Sequence, residues 1–346
     1  MSDTEALIQR AIEHGLDAAG NGAEGVIDGQ RVSLRFEYDR NAGSLAIVRG
    51  WLTRPLDLGL SMHRREVAQL DGRPGMTGDD DLDTEFAVRG DERERVRPLF
   101  FRRLCEQLVG LHRSAQDFRL DDQGCALFFP SMFDEDERAS WVGRALHAAA
   151  ATVALVDEAR ADVPAPAPLK AHAEAIHAFA GARGLRWSTT PMLADGRVDE
   201  RAVQLGSRRT GRRAHHLVAR LDFASELGLG LSLRRASLLD GLRTALGGQD
   251  IVVGEAAFDK RFLIRAEPTL APRVAQLFDP IVRAQLLEID HGIGPVYVDD
   301  QLLLVEPIGA SCPPEKVVGV IDALGEIAAR IERNLLHGAE QSGPYR

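Results

Sequence analysis

Apolar residues in the first half of the chain alternate in short runs and then recur at helical spacing. Every second residue of Arg31–Tyr38 is apolar, which predicts a strand with one buried face. Ser44–Leu52, Leu56–Met62 and Leu82–Arg89 are further strand candidates. Helical spacing follows from Val96 onwards. Strands and helices are segregated rather than alternating, which predicts an α+β fold with an antiparallel sheet and flanking helices.

The same half continues with a helix, a hairpin and a second helix. Asp91 is the predicted cap of the first helix. Two short strands, Phe118–Leu120 and Cys125–Phe129, flank Asp121–Gly124, which has the composition of a hairpin turn. Apolar residues at helical spacing then predict a long helix over Glu135–Ala159.

This pattern recurs in the second half of the chain. Arg95–Pro130 aligns without a gap with Arg273–Ile308 at a constant offset of 178 positions, and nine residues are identical. Apolar positions also coincide, so a helix, a turn and two strands stay in register. We therefore expect two tandem diverged copies of one domain.

The alignment sets the expected domain boundaries. The first copy, with an N-terminal helix, covers residues 1–162; a Pro/Ala linker covers 163–168; the second copy covers 169–336; and a flexible tail covers 337–346. In the second copy, Asp279 is the predicted cap of a helix whose first residue is Pro280. Its strands are expected at Leu185–Ser188, Ala214–Asp222, Gly228–Arg234, Ile251–Val253 and Ala257–Arg265.

Composition excludes several classes of protein. The 346 residues are 45% hydrophobic and 27% charged, which is typical of a globular chain, and the net charge of −10 argues against general nucleic-acid binding. Cys105, Cys125 and Cys312 are too far apart for a metal motif, and buried, reduced thiols are the simplest interpretation. A reactive thiol is the alternative. No signal peptide or membrane-spanning segment is predicted, so we expect a cytoplasmic protein.

A basic run in the second half is the strongest candidate site. Arginine forks bind phosphate or carboxylate, so this run predicts an anion-binding site. The alternative, which we favour, is a solvated hairpin loop. Adjacent strand residues point to opposite faces, which makes a metal pair at His215 and His216 improbable. The candidate residues are Arg208, Arg209, Arg212, Arg213, His215 and His216.

Two sets of acidic residues recur in both halves. Asp83 and Asp259 precede equivalent phenylalanines; they are either one shared acidic site or local partners of backbone N–H groups, and we favour the second interpretation. Asp121–Gln123 and Asp299–Gln301 offer too few oxygens for calcium, which favours hairpin turns. No catalytic, cofactor or metal motif is found, so an enzyme is the less favoured interpretation.

A resemblance is carried by three segments of the second half and, in the first half, by Leu82-Asp83-Thr84-Glu85-Phe86. Phe258–Ile264 (FDKRFLI), Leu277–Ile289 (LFDPIVRAQLLEI) and Val296–Pro307 (VYVDDQLLLVEP) resemble an uncharacterised bacterial domain family with an F-D-x-x-F strand motif. The order of helices and strands is also similar to type III secretion chaperone-like proteins. That second resemblance implies binding of other proteins.

The sequence therefore favours a non-catalytic protein–protein interaction module, an adaptor or chaperone-like protein that could form a homo-oligomer. The alternative is a protein that binds a small anionic or phosphate ligand through residues 208–213.

Overall fold

The chain folds into two units, each built on one eight-stranded antiparallel sheet. The computed structural model describes residues 3–39, 43–65, 76–114, 117–130, 135–210, 214–236 and 251–341. Unit 1 comprises Met1–Pro166 with Thr189–Pro191, and unit 2 comprises Ala167–Ser188 with Met192–Arg346.

Helices and strands follow one another in the same way in the two units. The first series is α1 (Asp3–Glu13), β1 (Asp17–Ala19), β2 (Gly22–Ile27), β3 (Gln30–Asp39), β4 (Gly43–Trp51), β5 (Ser61–Arg64), α2 (Asp80–Glu85), β6 (Phe86–Arg89), α3 (Arg93–Val96), α4 (Arg102–Ser114), β7 (Asp117–Asp121), β8 (Gly124–Pro130) and α5 (Glu135–Ala159). The second is α6 (Lys170–Arg183), β9 (Arg186–Thr189), β10 (Met192–Val198), β11 (Arg201–Thr210), β12 (Ala214–Asp222), β13 (Ser232–Arg235), α7 (Ala256–Arg261), β14 (Phe262–Arg265), α8 (Ala271–Leu277), α9 (Pro280–Gly292), β15 (Val296–Asp299), β16 (Leu302–Ile308) and α10 (Pro314–Gln341).

The two sheets have the same topology. The strand order is β1-β2-β3-β4-β8-β7-β5-β6 in unit 1 and, from the opposite edge, β9-β10-β11-β12-β16-β15-β13-β14 in unit 2. The register also agrees, since Ser61 pairs with Asp121 in one sheet and Ser232 with Asp299 in the other. The α+β class and the similarity of the two halves are thus confirmed.

One face of each sheet carries the core. In unit 1, α5 packs so closely on β4 that a Cβ at Gly50 would lie 2.8 Å from the carbonyl oxygen of Ala149. Apolar residues of α1, α2 and α4 join the same cluster, for example Leu7, Leu82 and Leu104. In unit 2 the fully buried stripe of α10 plays the part of α5: Val317, Val320, Leu324, Ile327 and Ile331.

The position of β5 is fixed by a carboxylate that accepts hydrogen bonds from three backbone N–H groups. Asp122, in the β7–β8 turn, accepts hydrogen bonds from the backbone N–H groups of Leu58, Gly59 and Leu60 at 2.8–3.1 Å. The left-handed φ angles of Asp57 (+58°) and Gly59 (+62°) turn these three N–H groups toward one point. The loop is therefore an anion-binding nest whose anion is a side chain of the same unit.

Unit 2 contains the same nest. Asp300 accepts from Leu229, Gly230 and Leu231 at 2.7–3.1 Å. Gly228 and Gly230 have φ angles of +64° and +63°. The carboxylates of Asp122 and Asp300 thus already bind backbone N–H groups. The two hairpin turns therefore lack the free carboxylate oxygens that a cation would need.

Asp83 and Asp259 also serve the backbone. Asp83 accepts from the N–H groups of Thr77 and Gly78 at 3.2 Å, and Asp259 accepts from Val253 and Gly254 at 2.9 and 3.1 Å. Each aspartate lies in a short helix and holds the preceding turn. The geometry agrees with a local structural role for both carboxylates.

A contact between an acidic and a basic side chain occupies equivalent places in the two units, with the two residue types exchanged. Glu85, at the end of α2, lies 3.1 Å from His112 Nε2 on α4. Arg261, at the end of α7, contacts Asp290 on α9, and Arg235 also reaches Asp290 at 3.2 Å. The carboxylate of Asp290 is fully buried, so these arginines supply its charge compensation.

Several predicted strands are wrong in detail. Residues 56–60 form the nest, and only Ser61–Arg64 is a strand, because the N–H groups of this segment bind a side chain instead of a neighbouring strand. Leu82–Arg89 and Ala257–Arg265 each begin with a short helix, in which Asp83 or Asp259 holds the turn before the helix. Ile251–Val253 is not a strand, and β13 begins at Ser232 rather than Gly228.

The remaining boundaries differ in smaller ways. The helix after Asp91 is interrupted between α3 and α4, and Glu92 is its N-cap residue. Val163 in the predicted linker is fully buried. The predicted tail begins inside α10, which continues to Gln341, and residues 342–346 lie outside the described residues.

We expect removal of the nest carboxylate to destabilise each unit. Asp122→Ala and Asp300→Ala each leave three backbone N–H groups without an acceptor, at a cost of about 3 kcal/mol in the free energy of unfolding. Urea unfolding followed by circular dichroism measures this loss. The exposed neighbour Gln123→Ala is the control, with an expected change below about 0.5 kcal/mol. A loss from Asp122→Ala no larger than that of the control would contradict the structural role.

Asp279 gives a pH-dependent prediction. Burial is the largest single influence on its carboxyl and opposes ionisation, but hydrogen bonds from Asn334, the N–H of Val282, Arg330 and the N–H of Ile281 outweigh burial and lower its pKa to about 2. A carboxyl with a lowered pKa stabilises the fold above its ordinary pKa of 3.8, and that stabilisation disappears as the pH falls toward 2.

The variant Asp279→Asn keeps an acceptor for the helix N–H groups but loses the charge. We expect its free energy of unfolding at pH 7 to be about 2 kcal/mol lower than that of the wild type. This difference should disappear as the pH falls from 4 to 2. Urea unfolding across this pH range is the measurement. A difference that stays constant down to pH 2.5 would show that the charge of Asp279 does not stabilise the fold.

Candidate functional site on the outer faces of the sheets

The predicted basic run lies on two adjacent strands of unit 2. Arg208 and Arg209 are in β11, His215 and His216 are in β12, and Arg208 pairs with His216 while Arg209 pairs with His215. Strand residues alternate between faces, so these two pairs point to opposite sides of the sheet. Two further candidates, Arg212 and Arg213, lie outside the described residues.

Arg208 and His216 meet at a carboxylate that the sequence reasoning did not consider. Glu306, in β16, accepts from Arg208 Nη1 at 2.8 Å to each oxygen, and its Oε1 lies 2.7 Å from His216 Nε2. The other ring nitrogen of His216 lies 3.4 Å from the hydroxyl of Thr210. Glu306 and His216 are largely buried, whereas the Arg208 side chain is 62% exposed.

Glu306 therefore occupies the place in which an external anion would contact Arg208 and His216. A phosphate could bind Arg208 and His216 only after displacing a carboxylate that already receives charge-assisted hydrogen bonds. Arg220, on the same face, is also matched to an acidic residue, Asp222, at 2.7 Å. Arg208 and Arg220 are thus both paired within the unit.

The face of sheet 1 opposite its helices is different. We call it the outer face. It carries Arg35, Ile47, Arg49 and Phe128, because residues paired across neighbouring strands point to the same side of the sheet. Ile47 is 2% exposed but does not belong to the core cluster on the other side. The outer face therefore has an apolar centre of its own.

Arginines stack on the aromatic rings of this face. The guanidinium carbons of Arg31 and Arg49 lie 5.9 and 5.7 Å from the centre of the Trp51 ring, and that of Arg119 lies 4.6 Å from the Phe128 ring. Both rings are half-buried. Such cation–π contacts hold exposed guanidinium groups above apolar surface without neutralising them.

Most of these residues have different counterparts in unit 2. Trp51 pairs with Gly124, and Asp222 pairs with the equivalent Leu302, so Trp51 corresponds to Asp222. By the same register Phe128 corresponds to Glu306. The two aromatic positions of this face in unit 1 thus correspond to two carboxylates of internal ion pairs in unit 2.

Sequence reasoning missed the residues of the outer face. The sequence feature that could have revealed them is the set of polar positions that alternate with apolar ones in β3. These positions place Arg31 and Arg35 on one side of the strand, and Trp51 and Phe128 lie on neighbouring strands. Aromatic residues in strands are ordinarily assigned to the core, and only the register of distant strands shows that these two point away from it.

The remaining candidate chemistry is accounted for by burial. The described residues contain no group of three or more His, Cys, Asp or Glu side chains that could hold a metal ion. The three cysteines are free and buried. Burial raises the pKa of Cys105 and of Cys125 to about 12 and also raises that of Cys312, which opposes formation of the reactive thiolate.

Comparisons with known proteins give little guidance. No protein-family model matches the chain, and no curated protein matches it. Among solved structures, the crystal structure of the mycobacterial trehalose monomycolate transport factor A, TtfA, is similar at 9% identity and a TM-score of 0.32. The match covers 48% of this chain and 95% of that chain. A TM-score this low supports no inference about function. In the described part of the chain, no helix combines the length and apolarity needed to span a membrane.

We expect the wild-type chain to gain no thermal stability from inorganic phosphate, because Glu306 already binds Arg208 and His216. The variant Glu306→Gln removes the competing charge, and phosphate should then raise its Tm by a few degrees at concentrations well above Kd. Differential scanning fluorimetry measures both, with Arg208→Ala as the control that removes the cation. If phosphate stabilises the wild type and Arg208→Ala abolishes this effect, the predicted anion site exists despite Glu306.

Proposed function

We propose that this chain is a non-catalytic protein-binding module, chaperone-like or an adaptor, whose binding surface is the outer face of the unit 1 sheet. The observation that supports this most strongly is the pair of half-buried rings, Trp51 and Phe128, beneath exposed arginines. Trp and Arg are enriched at binding hot spots, where apolar contact and directed charge act together.

The chemistry of the two units supports a role without catalysis. The acidic residues that recur in both units accept hydrogen bonds from backbone N–H groups. Asp122 and Asp300 do so in the nests, and Asp83 and Asp259 do so in turns. His216 is bound to Glu306, and the cysteines are buried. A nucleophile or general base needs a group whose bonds are available to a substrate, and these side chains are committed to the fold.

We further propose that the two units are diverged copies of one domain. Three features support this: one strand order in both sheets, one nest in the same loop, and an acid–base contact in the same place with its residue types exchanged. The exchange of Glu85–His112 for Arg261–Asp290 keeps a contact between an acidic and a basic side chain while both identities change. After duplication, one copy was then free to keep a scaffold role while the other bound partners.

The resemblance to type III secretion chaperone-like proteins agrees with this proposal, because its implication is also protein binding. We place the protein in the cytoplasm, where thiols stay reduced. Binding of a small anion by residues 208–213 of unit 2 has weaker support, because Arg208 is paired within the fold.

Site-specific photo-crosslinking in living cells tests this function. Ala126 lies in the centre of the outer face, between Arg49 and Arg119 in register. A benzoylphenylalanine at position 126 should give discrete adducts of defined mass with other proteins. Arg102, on α4, has a side chain that is 90% exposed and serves as the matched control position.

The comparison of the two positions decides the outcome. Recurrent adducts at 126 and none at 102 are expected. Adducts of equal yield at both positions would indicate random encounter, and their absence at 126 would remove the outer face as a protein-binding surface.

A further inference from the structure

We infer that the outer face of unit 1 binds the same face of a second copy of this chain, in a dimer with one twofold axis. This inference rests on the proposed function and names the partner of that surface. The axis crosses the strands above one row of core residues, so that the two sheets pack face to face. That row consists of Leu34, Val48, Leu127 and Phe118, which are paired in register across β3, β4, β8 and β7.

Charges of both signs are interspersed on the outer face. Because cations and carboxylates occur there in comparable numbers, the face favours neither a strongly acidic nor a strongly basic partner. It does complement itself if a rotation brings unlike charges together. The register of the strands places on this one side Arg31, Arg35, Arg49, Arg119, Glu24, Glu37, Asp117 and Asp121.

The register also determines which charges the axis brings together. Rotation places each residue opposite the one that lies equally far beyond the axis on the same strand. Arg119 therefore lies opposite Asp117 of the second copy, and Arg31 lies opposite Glu37 of the second copy. Each contact occurs twice by symmetry, so the interface contains four pairs of unlike charge.

The apolar side chains of the two faces are also matched. The half-buried ring of Phe128 lies opposite the small side chain of Ala126 of the second copy, and Trp51 lies opposite Leu45. Each ring thus meets an apolar side chain, which is the contact that two sheets packed about 10 Å apart require. The arginines stacked on these rings are free to reach outward to the carboxylates of the other copy.

The outer face is large enough for a specific contact. It extends over the six neighbouring strands β2, β3, β4, β8, β7 and β5, which contain between four and ten residues each. With about 3.4 Å per residue and about 4.8 Å per strand, these strands present a flat area of about 700 Å². Stable interfaces bury about 800 Å² on each partner, so the face provides an area close to that of a whole interface.

Unit 2 lacks the two charge pairs at the same places of its sheet. Ala202 stands at the position of Arg31, and Tyr297 stands at that of Arg119. The position of Glu37 is taken by Arg208, which Glu306 already binds. The alternating charges of unit 1 are therefore not needed to form this sheet, which leaves contact with another molecule as their role.

Sedimentation velocity of the full-length chain tests the inference. We expect the wild type to change from monomer to dimer between about 1 μM and about 100 μM, the range of a modest interface. Arg119→Asp places like charges at both contacts between positions 119 and 117, and so does Asp117→Arg. Each variant should therefore associate at least about tenfold more weakly than the wild type.

The control is Arg102→Asp, on α4, which changes the net charge by the same amount as Arg119→Asp. The side chain of Arg102 is 90% exposed and lies away from the outer face, so we expect this variant to form the dimer like the wild type. Circular dichroism establishes that all the variants are folded.

A mixture of the two reversed variants separates contact between copies from an effect within one copy. When Arg119→Asp meets Asp117→Arg, positions 119 and 117 carry unlike charges at both contacts. A heterodimer should therefore form although neither variant associates with itself. Arg119 and Asp117 also lie 3.3 Å apart within one chain, and mixing leaves that internal contact broken in both variants. Association in the mixture thus reports only the contact between copies.

Three results would overturn the inference: a wild type that stays monomeric at about 100 μM, a dimer that survives both charge reversals, or a mixture that does not associate. The proposed function is judged by crosslinking at Ala126. An adduct of twice the mass of the chain supports the dimer. Adducts with a different protein, formed by a chain that is monomeric in sedimentation, would overturn the dimer and leave the outer face as a protein-binding surface.

Discussion

The hydrogen bonds between a hairpin-turn aspartate and three successive N–H groups hold each unit together. Asp122 joins the β7–β8 turn to the loop before β5, and Asp300 does the same in unit 2. Because β5 and β6 pair beyond β7 instead of beside β4, the chain must leave the sheet and return at its other edge. A charged acceptor that binds three donors fixes that return, and the helices then cover a single face.

Local chemistry was predictable from the sequence, and long-range pairing was not. Asp279 followed by Pro280 begins a helix as expected, since a cap and its helix are adjacent in the chain. Leu56–Met62 has strand alternation, yet a carboxylate more than sixty positions away bends it into a nest. For the same reason the sequence did not predict that Trp51 and Phe128 face away from the helices. Alternation distinguishes the two faces of a strand but does not show which face the helices cover.

The density of arginines along the chain does not show which of their charges are paired in the fold. The most arginine-rich run is in unit 2, where Arg208 is bound by Glu306 and a neighbouring strand carries the pair Arg220–Asp222. Unit 1 has its arginines dispersed over separate strands, and the sheet gathers them on one face. A cation's availability thus depends on its neighbours in the sheet more than on its neighbours in the chain.

The exchanged acid–base contact has a consequence for folding fidelity. Tandem domains of one topology risk trading equivalent segments while they fold. If the α2–β6 segment of unit 1 entered unit 2, Glu85 would face the buried carboxylate of Asp290 in the place of Arg261. Burying two like charges together is costly, so unit 2 disfavours that segment. The buried aspartate thereby acts as an identity mark that keeps the α2–β6 segment out of the wrong sheet.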